Sequence, residues 1–200
     1  MQAPDNQPTH TESPASEITP VKLHPRLRVH YGDIFDVPAD AIVNAANSRM
    51  LGGGGIDGQI HKRAGPILRK YIKHAVPARY SKNVRCLEGD VVTTPGFRTG
   101  YHLIIHTVGP QIADVMPTEL EEDVLECCYS NIVIEAGKIG CEHIVTPCIA
   151  TGIYGYPMLE AARTAIAAIG EELDNYPNLQ VTMAVFNPEE QEIWRKLTVE

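Results

Sequence analysis

Four consecutive glycines, Gly52, Gly53, Gly54 and Gly55, interrupt residues 44–65 (NAANSRMLGGGGIDGQIHKRAG), and no regular element continues through such a run. Without a Cβ the backbone there can take positive φ and approach a ligand closely. On the N-terminal side, DAIVNAAN is an apolar run carrying two amides, Asn44 and Asn47, and has the pattern of a short buried strand. On the C-terminal side, IDGQIHKRA resumes at helical spacing, which sets Asp57 and His61 four residues apart on one helical face. The local order is therefore strand, glycine loop, helix. A loop in that position aims several backbone N–H groups at an anion, phosphate first among them.

Neither of the two familiar glycine-rich nucleotide motifs accounts for this loop. G-x-x-x-x-G-K-[ST] requires a Lys-Ser or Lys-Thr pair after the glycines, and none follows. G-x-G-x-x-G is matched in letters by Gly53, Gly55 and Gly58, but any four-glycine run matches it easily. The acidic residue that should follow about 20 positions later is replaced by VPARYSKN. The residues describe a phosphate-approaching loop of another kind.

Elsewhere strands and helices alternate. LRVHYGDIF reads as a strand ending at Gly32–Asp33, and AIVNAA as a fully apolar and hence central strand. Residues 56–71 contain a helix that Gly65–Pro66 breaks in two. NVRCLEGDVVTTPG gives one or two short strands, and YHLIIHTV another, stopped by Gly109–Pro110. Residues 118–138 form a long helix capped by Thr118, with Leu120, Val124, Cys127, Cys128, Asn131, Ile134 and Ile139 as its apolar face. HIVTPCIA, a helix over residues 158–173, the last strand LQVTMAVF and the last helix PEEQEIWRKL complete the order, with Pro188 and two glutamates opening that helix. Strands apolar on both faces require helices on both sides of the sheet, an α/β layered sandwich.

With 200 residues and 44% hydrophobic content the chain supports one domain. Residues 1–25 are rich in Pro, Ser and Thr, carry few large apolar side chains and read as a flexible tail, leaving residues 26–200 as the domain. The tail has neither the apolar core of a secretory signal nor the arginines of a mitochondrial presequence. No apolar run approaches the roughly 20 residues of a membrane span. A net charge of −8 argues against broad nucleic-acid affinity, and the basic cluster His61, Lys62, Arg63, Arg69, Lys70, Lys73 and His74 reads most simply as a solvated helix face. Five cysteines without C-x-x-C spacing read as reduced thiols in a cytosol-like compartment.

Three segments together resemble the macrodomain family. They are residues 32–66 (GDIFDVPADAIVNAANSRMLGGGGIDGQIHKRAGP), residues 104–110 (IIHTVGP) and residues 147–157 (PCIATGIYGYP). The order and spacing of NAAN, GGGG-I-D-G-x-I-H and ATGIYGYP are most similar to the MacroD-type branch, over residues 26–198. The resemblance implies a three-layer α-β-α sandwich with a mixed, mostly parallel six-stranded sheet. It also implies hydrolysis of ADP-ribosyl esters: removal of mono-ADP-ribose from acidic side chains of proteins, and deacetylation of O-acetyl-ADP-ribose. The implied partners are those ligands and mono-ADP-ribosylated proteins, with no cofactor, metal, nucleic acid or membrane. The expected setting is a cytoplasmic monomer, with nuclear entry if the chain is eukaryotic.

Carried over residue by residue, the family pattern gives Asp33 and the backbone of Ile34 to the adenine, and Phe186 to its face. It gives Asn47 to the distal ribose, leaving Asn44 to anchor the loop backbone. Gly52, Gly53, Gly54, Gly55 and Ile56 wrap one side of the pyrophosphate, and Thr151, Gly152, Ile153 and Tyr154 the other. Asn47, Asp57 and His61 are the residues linked to turnover. Taken alone, Asp33 is a loop carboxylate capping its own backbone, Asp57 and His61 are a helix cap with its i,i+4 partner, and Tyr154 and Phe186 are core. At a helix N-terminus Asp57 is expected to be a weakened base that orients water. Two departures stand out, Phe35 where the family often has Thr and Gln59 where it often has Ala. Water attack at the ester carbonyl and at the anomeric carbon both remain open. So does a non-catalytic ADP-ribose reader; an RNA-associated module is opposed by the charge.

Overall fold

The computed structural model describes residues 18–78, 81 and 83–199. A two-residue strand β1 (Val21–Lys22) precedes β2 (Leu27–Tyr31), a 3-10 turn (Ile34–Asp36) and β3 (Ala41–Ala45). Helices α1 (Gly55–Ala64) and α2 (Pro66–Ala75) follow, then β4 (Val91–Pro95) and β5 (Leu103–Thr107). The second half runs α3 (Glu119–Lys138), β6 (His143–Pro147), α4 (Met158–Leu173), β7 (Gln180–Val185), α5 (Pro188–Leu197) and β8 (Thr198–Val199). Six strands form one sheet in the order β2-β7-β6-β3-β5-β4. All neighbours are parallel except β4 against β5. β3 lies inside the sheet, as its apolar run requires.

The two-residue period of the strands sorts the core into two layers. Ala41, Val43, Ile105, Ile144 and Met183 face one side, where α3, α4 and α5 bring Leu125, Ile132, Ala165, Ile169 and Trp194 onto them. Ile42, Ile104, Val145 and Ala184 face the other, covered by Ile60, Ala64, Leu68 and Ile72 of α1 and α2. The result is the expected three-layer sandwich. Gly65, at φ +82°, ends α1 and stands immediately before Pro66, the first residue of α2. Thr118 caps α3 through a reciprocal box: Glu121 N–H donates to Thr118 Oγ1 at 3.3 Å, and Thr118 N–H to Glu121 Oε2 at 2.7 Å. Asn187 caps α5 ahead of Pro188.

Three expectations are corrected. The buried face of α3 is Leu125, Cys128, Tyr129, Ile132, Val133 and Ala136, while Leu120 is 71% exposed and Cys127 is exposed. Apolar residues occupy two adjacent stripes of this helix. The inner one is fixed by Tyr129, whose hydroxyl accepts the Ile149 N–H at 2.9 Å. β7 is not the last strand, because β8 pairs with β1 in a separate parallel ribbon. Of the expected tail, residues 1–17 lie outside the described residues, whereas Ile18, Val21 and Leu23 pack against the core. Among the described residues no helix is long and apolar enough to cross a membrane.

Candidate functional site

An open cleft of about 660 Å³ runs along the C-terminal ends of β2, β3, β6 and β7, reached through Asp33, Ala45, Pro147 and Phe186. Ligands of open α/β sheets gather at this edge because loops there diverge and leave a crevice. Asp33, Ile34, Asn47, Gly53, Gly54, Gly55, Ile56, Asp57, Thr151, Gly152, Ile153, Tyr154 and Phe186 all line it. Gly52 and His61 do not. Gly52, at φ +89°, turns away from the cleft, where a Cβ would meet Arg69 at 3.1 Å and His61 at 3.3 Å. Both line a second cavity behind the loop.

The two loops close on each other at one point. A Cβ on Gly54 would lie 2.9 Å from Ile153 Cδ1, so the absent side chain is what lets Ile153, 78% exposed, lean over the glycine run. Gly152 is different, with nothing within 4 Å of its Cβ position. The second loop is held by its own backbone: Gly155 N–H donates to Gly152 O at 3.0 Å and Tyr156 N–H to Ala150 O at 3.0 Å. Ala150 sits at φ +64°, a left-handed conformation that costs a non-glycine residue roughly 1–2 kcal/mol. Gly109 lies beneath it, where a Cβ would meet Ile149 at 2.7 Å and Ala150 at 3.0 Å.

Asn47 lines the cleft and also takes the loop-anchoring part expected of Asn44. Asn47 holds the glycine loop, donating from Nδ2 to Gly52 O at 3.3 Å and accepting the Arg49 N–H at 3.1 Å. Asn44, fully buried, donates from Nδ2 to Asp57 Oδ1 at 2.7 Å and to His106 Nδ1 at 3.0 Å. His106 Nε2 meets Thr94 Oγ1 at 2.9 Å. Since Nδ1 accepts from Asn44, the ring proton sits on Nε2 and is donated to Thr94. His61 Nε2 lies 3.5 Å from Asp57 Oδ1. Asp57 Oδ2 is buried without a hydrogen-bond partner among the described residues.

Burial sets the proton affinities here. It pushes the Asp57 carboxyl up, against the lowering effects of the Asn44 hydrogen bond, His61 and Arg69. The weakened base expected from the helix N-terminus is therefore reversed: Asp57 is in the first turn of α1, but loss of solvent outweighs the helix. His61 is pushed down by burial, with Asp57 opposing and Arg69 reinforcing. His106 is driven down to about 3 by its complete burial, with His61 adding to the effect.

At the other end of the cleft, Asp33 Oδ1 accepts the Phe35 N–H at 3.0 Å and Oδ2 lies 4.0 Å from Arg63. The carboxylate thus caps its own turn with one oxygen and faces the Arg63 guanidinium with the other. Ile34 is buried, and its carbonyl accepts from the Tyr101 hydroxyl at 3.0 Å. Phe186, expected in the core on local grounds, is 73% exposed. Phe35 packs between Tyr101 and the Arg63 guanidinium, 3.7 Å above its ring, which explains the side chain at that departure. Residues not assigned to the site from sequence also line the cleft, Cys148, Asn187, Glu190 and the departure Gln59 among them. His106 was passed over as well, although a lone imidazole in the apolar run LIIHTV was its signal.

The family described as Macro domain matches by its model over residues 43–165. The chain is 38% identical over 151 residues to the O-acetyl-ADP-ribose deacetylase of Salmonella typhimurium, covering 76% of this chain and 81% of that one. It is 36% identical over 177 residues to the ADP-ribose glycohydrolase MACROD1 of Mus musculus, covering 88% of this chain and 52% of the mouse protein, about half its length. Among solved structures, the Trypanosoma brucei macrodomain in complex with ADP-ribose superposes with a TM-score of 0.73 at 34% identity, covering 88% of this chain and 76% of that one.

Proposed function

This chain belongs to the macro domain family, and from that membership we propose that it hydrolyses ADP-ribosyl esters, removing mono-ADP-ribose from acidic side chains and deacetylating O-acetyl-ADP-ribose. The ligand lies with its adenine between Asp33, Ile34 and Phe186. Its pyrophosphate passes between the two loops, which offer neutral backbone donors, and its distal ribose lies at Asn47 and Asp57. The proposed partners are mono-ADP-ribosylated proteins, met in the cytoplasm by a monomer. The proposed domain comprises residues 26–200 with residues 18–25 added to it.

One observation carries the reading: Asp57 lines the cleft with a buried Oδ2 that has no hydrogen-bond partner among the described residues, while its Oδ1 is held by Asn44. A carboxylate fixed at one oxygen and free at the other is arranged to orient a water and take its proton. Its raised proton affinity makes it a better base than an exposed aspartate. Asn44 positions Asp57, and His61 supports it from behind the loop.

Single-turnover release of free ADP-ribose from a glutamyl-ADP-ribosylated protein tests the assignment. Release by the wild type and its loss in Asp57→Ala are expected. Tight ADP-ribose binding without release would make the chain a reader. Reaction in ¹⁸O-water separates the two chemical routes, since carbonyl attack labels the freed carboxylate and anomeric attack labels ADP-ribose.

A further inference from the structure

Behind the glycine loop lies a second concavity of about 720 Å³, formed by α1, α2 and the loop itself. Lys62, Arg69, Lys70 and Lys73 line it, with no acidic side chain among the lining residues. Among the described residues the side chains of these four make no hydrogen bond or ion pair, although the chain as a whole carries an excess of acidic groups. Between Asp57 and Glu88 the sequence holds eight of the 17 Lys and Arg residues and not one Asp or Glu. A solvated helix face in an acidic protein has no reason to exclude carboxylates so completely, because i,i+4 pairs with opposite charge stabilise exposed helices.

The groove also adjoins the reacting end of the cleft. Gly53 lines both cavities. His61 lines the groove, and its Nε2 stands 3.5 Å from Asp57 Oδ1, so one side chain separates the groove from the carboxylate.

We infer that the α1–α2 groove binds an acidic stretch of the polypeptide carrying the ADP-ribosyl ester. The inference rests on the hydrolase reading above for the identity of that polypeptide. A chain esterified at the distal ribose leaves the cleft beside Gly53, and each further residue spans roughly 3.3–3.6 Å. A few residues therefore reach along α2 to Lys70 and Lys73. Carboxylates flanking the modified side chain meet unpaired cations there, and their attraction adds to encounter rate and selectivity.

The test uses three substrates: a glutamyl-ADP-ribosylated peptide flanked by Glu and Asp, one of equal length flanked by Ser and Gly, and O-acetyl-ADP-ribose. In Lys70→Glu/Lys73→Glu, KM for the acidic peptide is expected to rise about tenfold or more, since each reversal replaces attraction with repulsion at an exposed site. KM for the neutral peptide and for O-acetyl-ADP-ribose should not change. Equal shifts for all three, or no shift for any, would overturn the inference. If the wild type turns over none of them, the hydrolase reading fails, and fluorescence anisotropy with the unmodified acidic peptide decides for the groove. Salt-sensitive binding that the double variant weakens about tenfold supports it. No preference over the neutral peptide overturns it, as does tighter binding of a single-stranded oligonucleotide with the same number of charges.

Discussion

Asn44 Nδ2 stands 2.7 Å from Asp57 Oδ1, tying the central strand to the first turn of α1 across 13 residues of sequence. The same amide nitrogen reaches His106 Nδ1 on the adjacent strand β5, so its two protons serve a helix carboxylate and a strand imidazole and hold both in place. The glycine loop is thus fastened on one side by Asn47 and backed on the other by a buried polar chain ending at Thr94.

Replacing Asp57 separates binding from turnover. Asp57→Ala is expected to lower kcat by ~10²- to 10⁴-fold, the usual loss for a positioned base, with little change in ADP-ribose affinity by calorimetry. Because burial raises the Asp57 pKa, the wild-type rate climbs with pH through a value above the ordinary 3.8. The same shift has a stability consequence of fixed sign. Asp57's contribution to folding is full below its unfolded pKa and is lost as pH rises through the raised folded value. Asp57→Asn should therefore melt higher than wild type at pH 7.5 while failing to turn over.

Asn44→Ala tests whether that amide acts through Asp57. It removes an interaction that lowers the Asp57 pKa, so the pH–rate profile should move to higher pH, with kcat reduced more at pH 6 than at pH 8. Two buried acceptors also lose a donor, at a cost of about 1–3 kcal/mol each in a urea titration. A stability loss with an unmoved pH profile would show Asn44 to be structural only.

Gly152→Glu probes the second loop. ADP-ribose at ~100 times its Kd should stabilise the wild type by ~2.7 kcal/mol, read as a thermal shift, and AMP should bind more weakly. A Cβ at position 152 meets no protein atom within 4 Å, so the new side chain starts in open space at the wall of the cleft. The variant should melt as the wild type does without ligand and show no shift with ADP-ribose. Retained affinity in the folded variant would remove this loop from the site.

His106 predicts the acid limb of stability. Its folded pKa of about 3 lies below the ordinary 6.5, so the unfolded chain takes up the proton first and stability falls as pH drops from 6.5 toward 3. Between pH 7.5 and pH 5 this amounts to roughly 2 kcal/mol. His106→Gln should flatten that part of the pH dependence in urea midpoints, and an unchanged slope would mean another group dominates it.

Much of this architecture was legible because it depends on local period. α4 follows its apolar spacing over Met158–Leu173, the bounds expected from sequence, and the break at Gly65–Pro66 follows from backbone chemistry. What was not legible depends on partners remote in sequence. β1 and β8 have two residues each, too few for any alternation to show. The face buried by α3 was chosen by Tyr129 reaching the loop after β6, which the helix alone does not disclose. Within the site, strand parity explains why Asn44 meets Asp57 instead of holding the loop. Ile42 faces α1 and α2, so Asn44, two residues on, faces them as well and meets Asp57, whereas Asn47 lies past the strand end beside the loop. His106 joins them because parallel pairing sets it opposite Asn44. Sequence placed Asp57 in the first turn of a helix correctly but could not supply its burial, which decided the sign.

The ribbon of β1 and β8 gives the cleft an uneven mechanical support. Val21 pairs with Thr198 and Lys22 with Val199, and β8 continues directly from α5, which brings Glu190 to the cleft one turn beyond Phe186. The Phe186 end is therefore braced by a clasp between segments at opposite extremes of the described chain. Asp57 is braced by interior strands with which neither extreme pairs. Fraying, cleavage or a fusion at either extreme loads the first support and spares the second, so such damage would surface as altered ligand grip while the carboxylate keeps its geometry.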